Sequence, residues 1–191
     1  MARNPERRTA LVDAAIEVLA REGARGLTFR AVDTGAGVPV GTASNYFSTR
    51  DDLFNHVGRR IHVRMMPSTA EAEAAERAGP TRAAAVAQLQ ALFGRVVGDR
   101  DGYLALLELR LEATRRPELR ETLTATIRAN HERDVRGHAE SGMPGDRTTV
   151  LLLYLAISGL VVEHLTLPGM LAPRAPEDVV EEIVTALMPG T

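Results

Sequence analysis

Between Pro39 and Arg50 the chain reads PVGTASNYFSTR, small and hydrogen-bonding side chains closed by one arginine. If this stretch is helical, successive side chains turn by about 100°, so Ala43 and Phe47 share one face. Gly41 and Asn45 then point the opposite way, with Ser44 on one flank and Thr42 and Tyr46 on the other. That outer face is small, polar and almost uncharged, which suits a helix lying in a groove of duplex DNA. Small residues permit close approach, asparagine bonds bidentately to adenine, and serine donates or accepts at a base edge. The hydroxyls of Thr42 and Tyr46 are placed to meet phosphates, and Arg50 adds a charge just past the helix end. An ordinary surface helix would carry the same residues, so the flanking elements have to decide.

Those elements are legible. Asn4 can cap a first helix, with Pro5 at its first position and Glu6 against the dipole. Leu11, Ala15, Ile16 and Leu19 form its buried stripe, with Val12 and Val18 alongside, and Gly23 is a left-handed stop. Thr28 caps a short second helix over 29–35, Gly37 allows the tight AGV turn, and a third helix spans 39–47. Ser48 or Thr49 then caps a fourth helix with Asp51 and Asp52 in its first turn. Pro67 should kink or interrupt it, and the AGP at 78–80 ends the segment. Helical periodicity continues at about 81–98, 102–115, 117–139, 148–166 and 176–188, with no alternating strand pattern. The fold class is all-α, and the order of cap, turn, helix and acidic restart selects a helix-turn-helix.

The segment LTFRAVDTGAGVPVGTASNYFSTRDDL resembles the DNA-binding part of TetR-family transcriptional regulators, over residues 5–65. The resemblance implies an amino-terminal three-helix DNA-binding domain at 5–65 and a helical ligand-binding and dimerisation domain at 66–191. It further implies that Thr28, Thr42, Tyr46 and Arg50 hold phosphates while Ser44 and Asn45 face the bases. Three positions depart from the family pattern. Pro39 stands where a capping Ser is common, and Val40, in place of a basic residue, can touch a thymine methyl or pack. Asp33 replaces a small apolar residue. Affinity then leans more on Arg3, Arg7, Arg8 and Arg30.

Composition agrees. Apolar residues make up 45% and charged residues 25%, enough for a packed core and unlike a disordered chain. All 23 basic residues are Arg, which serves phosphate recognition but also follows from a GC-rich genome. The net charge of −2 is uneven: residues 1–64 hold ten Arg against seven acids, the remainder thirteen against eighteen. A basic amino-terminal third on an acidic body suits a local polyanion contact. Without cysteine, disulfide and thiolate chemistry are excluded, as a reducing cytoplasm would allow. No leader pattern is visible, and the apolar run 150–162 falls short of the roughly 20 residues of a bilayer span. It reads as a helix buried in protein.

No phosphate loop, dinucleotide fingerprint or nucleophile elbow appears, so neither a catalytic residue nor a cofactor is expected. His131, Asp134 and His138 share a helix face, but HERDV is not the H-E-x-x-H motif, and a solvated polar face is the expectation. Tyr103, Tyr154 and His164 add polar tips to apolar helices and are candidates to line a ligand pocket. Arg110 joins them if it pairs with a buried glutamate; an exposed ion-pair face through Glu108, Glu112, Arg115 and Arg116 is the simpler expectation.

Val180, Ile183, Val184 and Leu187 form one stripe on the last helix. With Leu160 they are expected to form a four-helix dimer interface, although the same stripe could serve an intramolecular core. The function expected is a cytoplasmic homodimeric repressor, released from a pseudo-palindromic duplex operator by a small, largely apolar effector. An all-α small-molecule-binding protein or enzyme with a vestigial helix-turn-helix, or an architectural DNA binder without a ligand, are the rivals.

Overall fold

The computed structural model describes residues 4–189. Every regular element among them is an α-helix, in the order α1 (Pro5–Gly26), α2 (Phe29–Gly35), α3 (Thr42–Tyr46), α4 (Arg50–Arg64), α5 (Thr69–Ala78), α6 (Arg82–Gly98), α7 (Arg100–Ala113), α8 (Pro117–Ser141), α9 (Arg147–Thr166) and α10 (Pro176–Leu187). The caps form where the side chains allow. Asn4 accepts from the backbone N–H of Glu6 and Arg7, Thr28 from Ala31 and Thr49 from Asp52. Each such cap stabilises its helix by about 1 kcal/mol.

Two ends differ from the sequence expectation. Gly23 does take a positive φ, 68°, but the chain resumes helical turns to Gly26 beyond the kink. The N–H of Ala24, freed by that kink, donates to Oε2 of Glu108 on α7 at 3.2 Å. Helix α3 is shorter than expected: Pro39 to Gly41 form a turn, because Gly41 sits at φ 92° and only then does the helix start.

The chain folds into two compact units, and the boundary between them falls three times in the chain. The first holds the described residues up to Met65 together with Asp99–Ile127. A division at residues 65 and 66 follows chain order, whereas packing returns α7 and the start of α8 to the amino-terminal helices. The reason lies in α1. Leu11, Ala15, Ile16 and Leu19 have no exposed surface, and α2, α4 and α7 all pack against this helix. Arg60 of α4 holds Asp13 of α1 through a bidentate pair at 2.8 and 2.9 Å, and Arg64 bridges to Asp99.

The second unit holds Met66–Gly98 and the chain from Arg128 onward. Its core gathers Ala85, Leu153, Val184 and Met188, with Ile183 and Leu187 packed partly against it. This corrects the expected interface stripe. Val180 and Val184 are fully buried within one chain, and Leu160 is buried too, so α10 spends its apolar face on the chain's own core. The apolar run of α9 is likewise not buried all round. Its Leu151, Leu152 and Leu155 are exposed, and by length and composition α9 is the one described helix that could cross a bilayer.

Truncating Val184 to Ala should cost this unit about 2 kcal/mol, the lost methyl groups plus the cavity left behind. Denaturant unfolding followed by circular dichroism measures the loss, and size-exclusion chromatography should show an unchanged oligomeric state, since the side chain faces inward.

Candidate nucleic-acid interface

Helix α3 is anchored by two side chains. Ala43 is fully buried and Phe47, just past its end, is nearly so, both in the core of the first unit. Gly41, Ser44 and Asn45 are exposed on the other side. The face expected from spacing alone is therefore the solvent face. At Gly41 a Cβ would meet nothing within 4 Å, so glycine is needed there for its positive φ and not for internal space. Val40 is 74% exposed, so it does not pack within the chain.

Several polar groups already have internal partners. The Thr42 hydroxyl donates to the carbonyl of Pro39, and the Ser44 hydroxyl donates to that of Gly41 at 2.8 Å. Both oxygens keep lone pairs, so in this conformation they accept and must rotate to donate to a phosphate. Thr28 accepts from Ala31 N–H, leaving its own proton free for an outward bond. Asn45 is exposed and makes no side-chain hydrogen bond among the described residues, and Arg30 and Arg7 are exposed as well. Tyr46 is half-buried, its ring tilted against Phe47 at 6.5 Å.

Arg50 departs from its expected role. Its guanidinium lies over the Phe54 ring, 5.1 Å from the centroid, and its Nε is buried without a hydrogen-bond partner. Arg116 covers the same ring at 5.5 Å, bonding Glu112 at 2.6 Å and Asp51 at 2.9 Å. Arg50 is thus folded back onto α4 by cation–π attraction. Arg8 is also engaged, over Phe47 and against Nε2 of His56 at 3.3 Å. Arg3 lies outside the described residues.

The sequence did not reveal what Asp33 does. It is the one buried carboxylate among the described residues, 1% exposed. Its Oδ2 accepts the Gly41 N–H and its Oδ1 the Ala43 N–H, both at 2.7 Å. Its backbone carbonyl accepts from Val38 N–H. A polar residue on an otherwise apolar face was the only signal for it.

The candidate ligand residues are divided between the two units. Tyr103 and Arg110 belong to the first unit, Tyr154 and His164 to the second. Arg110 is exposed, and the ion pairs run instead through Glu112 to Arg115 and Arg116, while Glu108 turns to Ala24. His164 packs edge-on against Phe93 at 5.4 Å, and Tyr154 lies 6.1 Å from His131. Ten residues apart on α9, Tyr154 and His164 are separated by about 15 Å along the axis. The buried Nδ1 of His131 and Nε2 of His138 have no hydrogen-bond partner.

Comparisons with known proteins agree with this geometry. The family model described as "Bacterial regulatory proteins, tetR family" matches residues 11–57, and "Tetracyclin repressor-like, C-terminal domain" matches 80–190. No curated protein sequence matches. Among solved structures, a member of the TetR family from Streptomyces coelicolor A3 is 28% identical, with a TM-score of 0.72 over 97% of this chain and 99% of that one. The multidrug binding protein EbrR complexed with imidazole is 30% identical, with a TM-score of 0.67 over 98% of each chain. EbrR complexed with ethidium gives 29% and 0.68, covering 97% of this chain and all of that one.

The imidazole of His56 supplies a test of the interface's support. Burial lowers its pKa from 6.5, Asp52 opposes this, and Arg8 and Arg59 add to it. Its folded pKa lies below the unfolded one, so the stability it contributes is present above about pH 6.5 and is lost as pH falls through the lowered value. The slope from this one proton is at most about 1.4 kcal/mol per pH unit. Urea unfolding across this range should show the loss, and His56→Gln should flatten it.

Proposed function

The chain belongs to the TetR family of bacterial regulators, and on that premise we propose a homodimeric, sequence-specific repressor acting in the cytoplasm. A small, largely apolar molecule would release it from a pseudo-palindromic operator. The observation that carries this reading is the outer face of α3: Val40, Gly41, Ser44 and Asn45 exposed, Ala43 and Phe47 buried behind them. In a major groove Asn45 would bond adenine, Ser44 would accept at a base edge, and Val40 would touch a thymine methyl. Thr28, Arg30 and Tyr46 would meet phosphates, which fix register without reading sequence. Thr42 and Arg50 join them once the Thr42 hydroxyl rotates and the Arg50 guanidinium leaves Phe54.

Two half-sites about 34–36 Å apart require two copies. The exposed leucines of α9 supply a face for the second copy, in place of the buried Leu160, Val180 and Val184. Ile183 and Leu187, half-buried on α10, can border it. The effector reading is supported by EbrR, a multidrug binding protein seen with ethidium. In this chain Tyr154 beside His131, and His164 beside Phe93, are the groups we assign to it, with the unpaired His131 nitrogen as a polar anchor. An effector weakens operator binding only by preferring a conformation with misplaced recognition helices. A coupling of roughly 1–3 kcal/mol is reciprocal, so operator must weaken effector binding equally.

Selection from random duplex DNA should return a two-fold related site. On it, Asn45→Ala should cost roughly 1–3 kcal/mol and relax one base position. A selection without enrichment, or an Asn45→Ala protein that binds as before, would sink the DNA reading. Leu155→Glu should convert the dimer to monomer in light scattering, because a lone carboxylate in a dry interface is strongly disfavoured. A wild-type monomer at micromolar concentration would refute that part.

A further inference from the structure

We infer that Asp33 is a positioning residue for DNA recognition, capping α3 from α2 and closing that helix end to phosphate. This deepens the proposed function and rests on it. Helix α3 has five residues and no side-chain cap of its own, since its N-cap is Gly41. A helix so short does not hold its own start. Pro39, two residues earlier, brings neither an N–H nor a hydroxyl. The two amides at this start, Gly41 N–H and Ala43 N–H, are both taken by the Asp33 carboxylate at 2.7 Å. Because Asp33 is itself buried and its carbonyl holds Val38, one residue ties α2, the turn and α3 together.

The charge has a consequence for recognition. Free amides at a helix start attract phosphate. Here a carboxylate already satisfies them and repels a second anion. The backbone amides at the start of α3 therefore take no phosphate, and discrimination depends on the helix's fixed angle to α2. Phosphate contacts then come from side chains, those of Thr28, Arg30, Thr42 and Tyr46 among them, and not from the amides at the start of α3. Loss of the carboxylate should separate two quantities that a loss of folded protein would lower together. Binding to the selected site should weaken, while binding to unrelated duplex should hold or tighten.

The experiment uses the full-length protein with Asp33→Asn, Asp33→Ala and Asp33→Ala/Pro39→Ser, measured against the selected site and a scrambled duplex. Asp33→Asn keeps the shape but sets an NH2 group against one backbone N–H. Its affinity for the selected site should fall about ten-fold or more, with the scrambled duplex bound at least as well as by wild type. Pro39→Ser should recover part of the loss in the Ala background, since a serine there offers a local acceptor. Amide hydrogen exchange by NMR, without DNA, should show Gly41 and Ala43 exchanging faster in Asp33→Ala while Val57 in α4 stays protected. Unchanged exchange at Gly41 and Ala43 overturns the capping role, whatever the DNA does. An equal loss on both duplexes, or no loss on either, overturns the recognition role. If wild type selects no site, the DNA reading fails, and the exchange result still decides the cap.

Discussion

The burial of α1 on three sides is the constraint from which the first unit follows. Its stripe at Leu11, Ala15, Ile16 and Leu19 meets α2 and α4, and those two short helices do not cover it. Helix α7 packs along the rest of that stripe and brings Glu108 to the N–H that the Gly23 kink leaves free. A helix held by three neighbours along its apolar face cannot tilt without dragging them, because close-packed interiors transmit displacement. The position of α3 is thereby inherited from α1 through α2, and α7 shares the same support.

Small elements in this unit are held by partners distant in sequence. Helix α3 has one buried side chain, Ala43, and its cap is donated from α2. Arg50 lies over Phe54, Arg116 covers the same ring while pairing with Glu112 and Asp51, and Arg8 lies over Phe47. Cations that look available for phosphate in a list of residues are in this way partly committed to aromatic faces. What stays free on the outer face is small and neutral, so shape and hydrogen bonding outweigh net charge there.

The second unit shows the opposite economy. Helix α10 spends its apolar stripe on the core it shares with α6 and α9, leaving acids outward. Helix α9 has apolar residues around its whole circumference, more than α6 and α10 cover, and three leucines stay exposed. The same hydrophobicity thus yields a core on one helix and an uncovered surface on the next, because each depends on how many neighbours the helix meets.

Local signals were readable in the sequence wherever their cause is local. Thr28 and Thr49 cap the helices expected of them, Pro67 falls between α4 and α5, and the Ala43–Phe47 spacing identifies the inner face of α3. These follow from backbone sterics and a fixed turn per residue, which act within a few positions. Tertiary structure alone decided the rest. It shortened α3 to begin after Gly41, returned residues 99–127 to the first unit, turned Arg50 inward and put Val180 and Val184 inside the chain. Asp33 shows the reason most clearly. Its sequence neighbours mark it as an acid on an apolar helix, and only the approach of two amides eight and ten residues later makes its burial favourable.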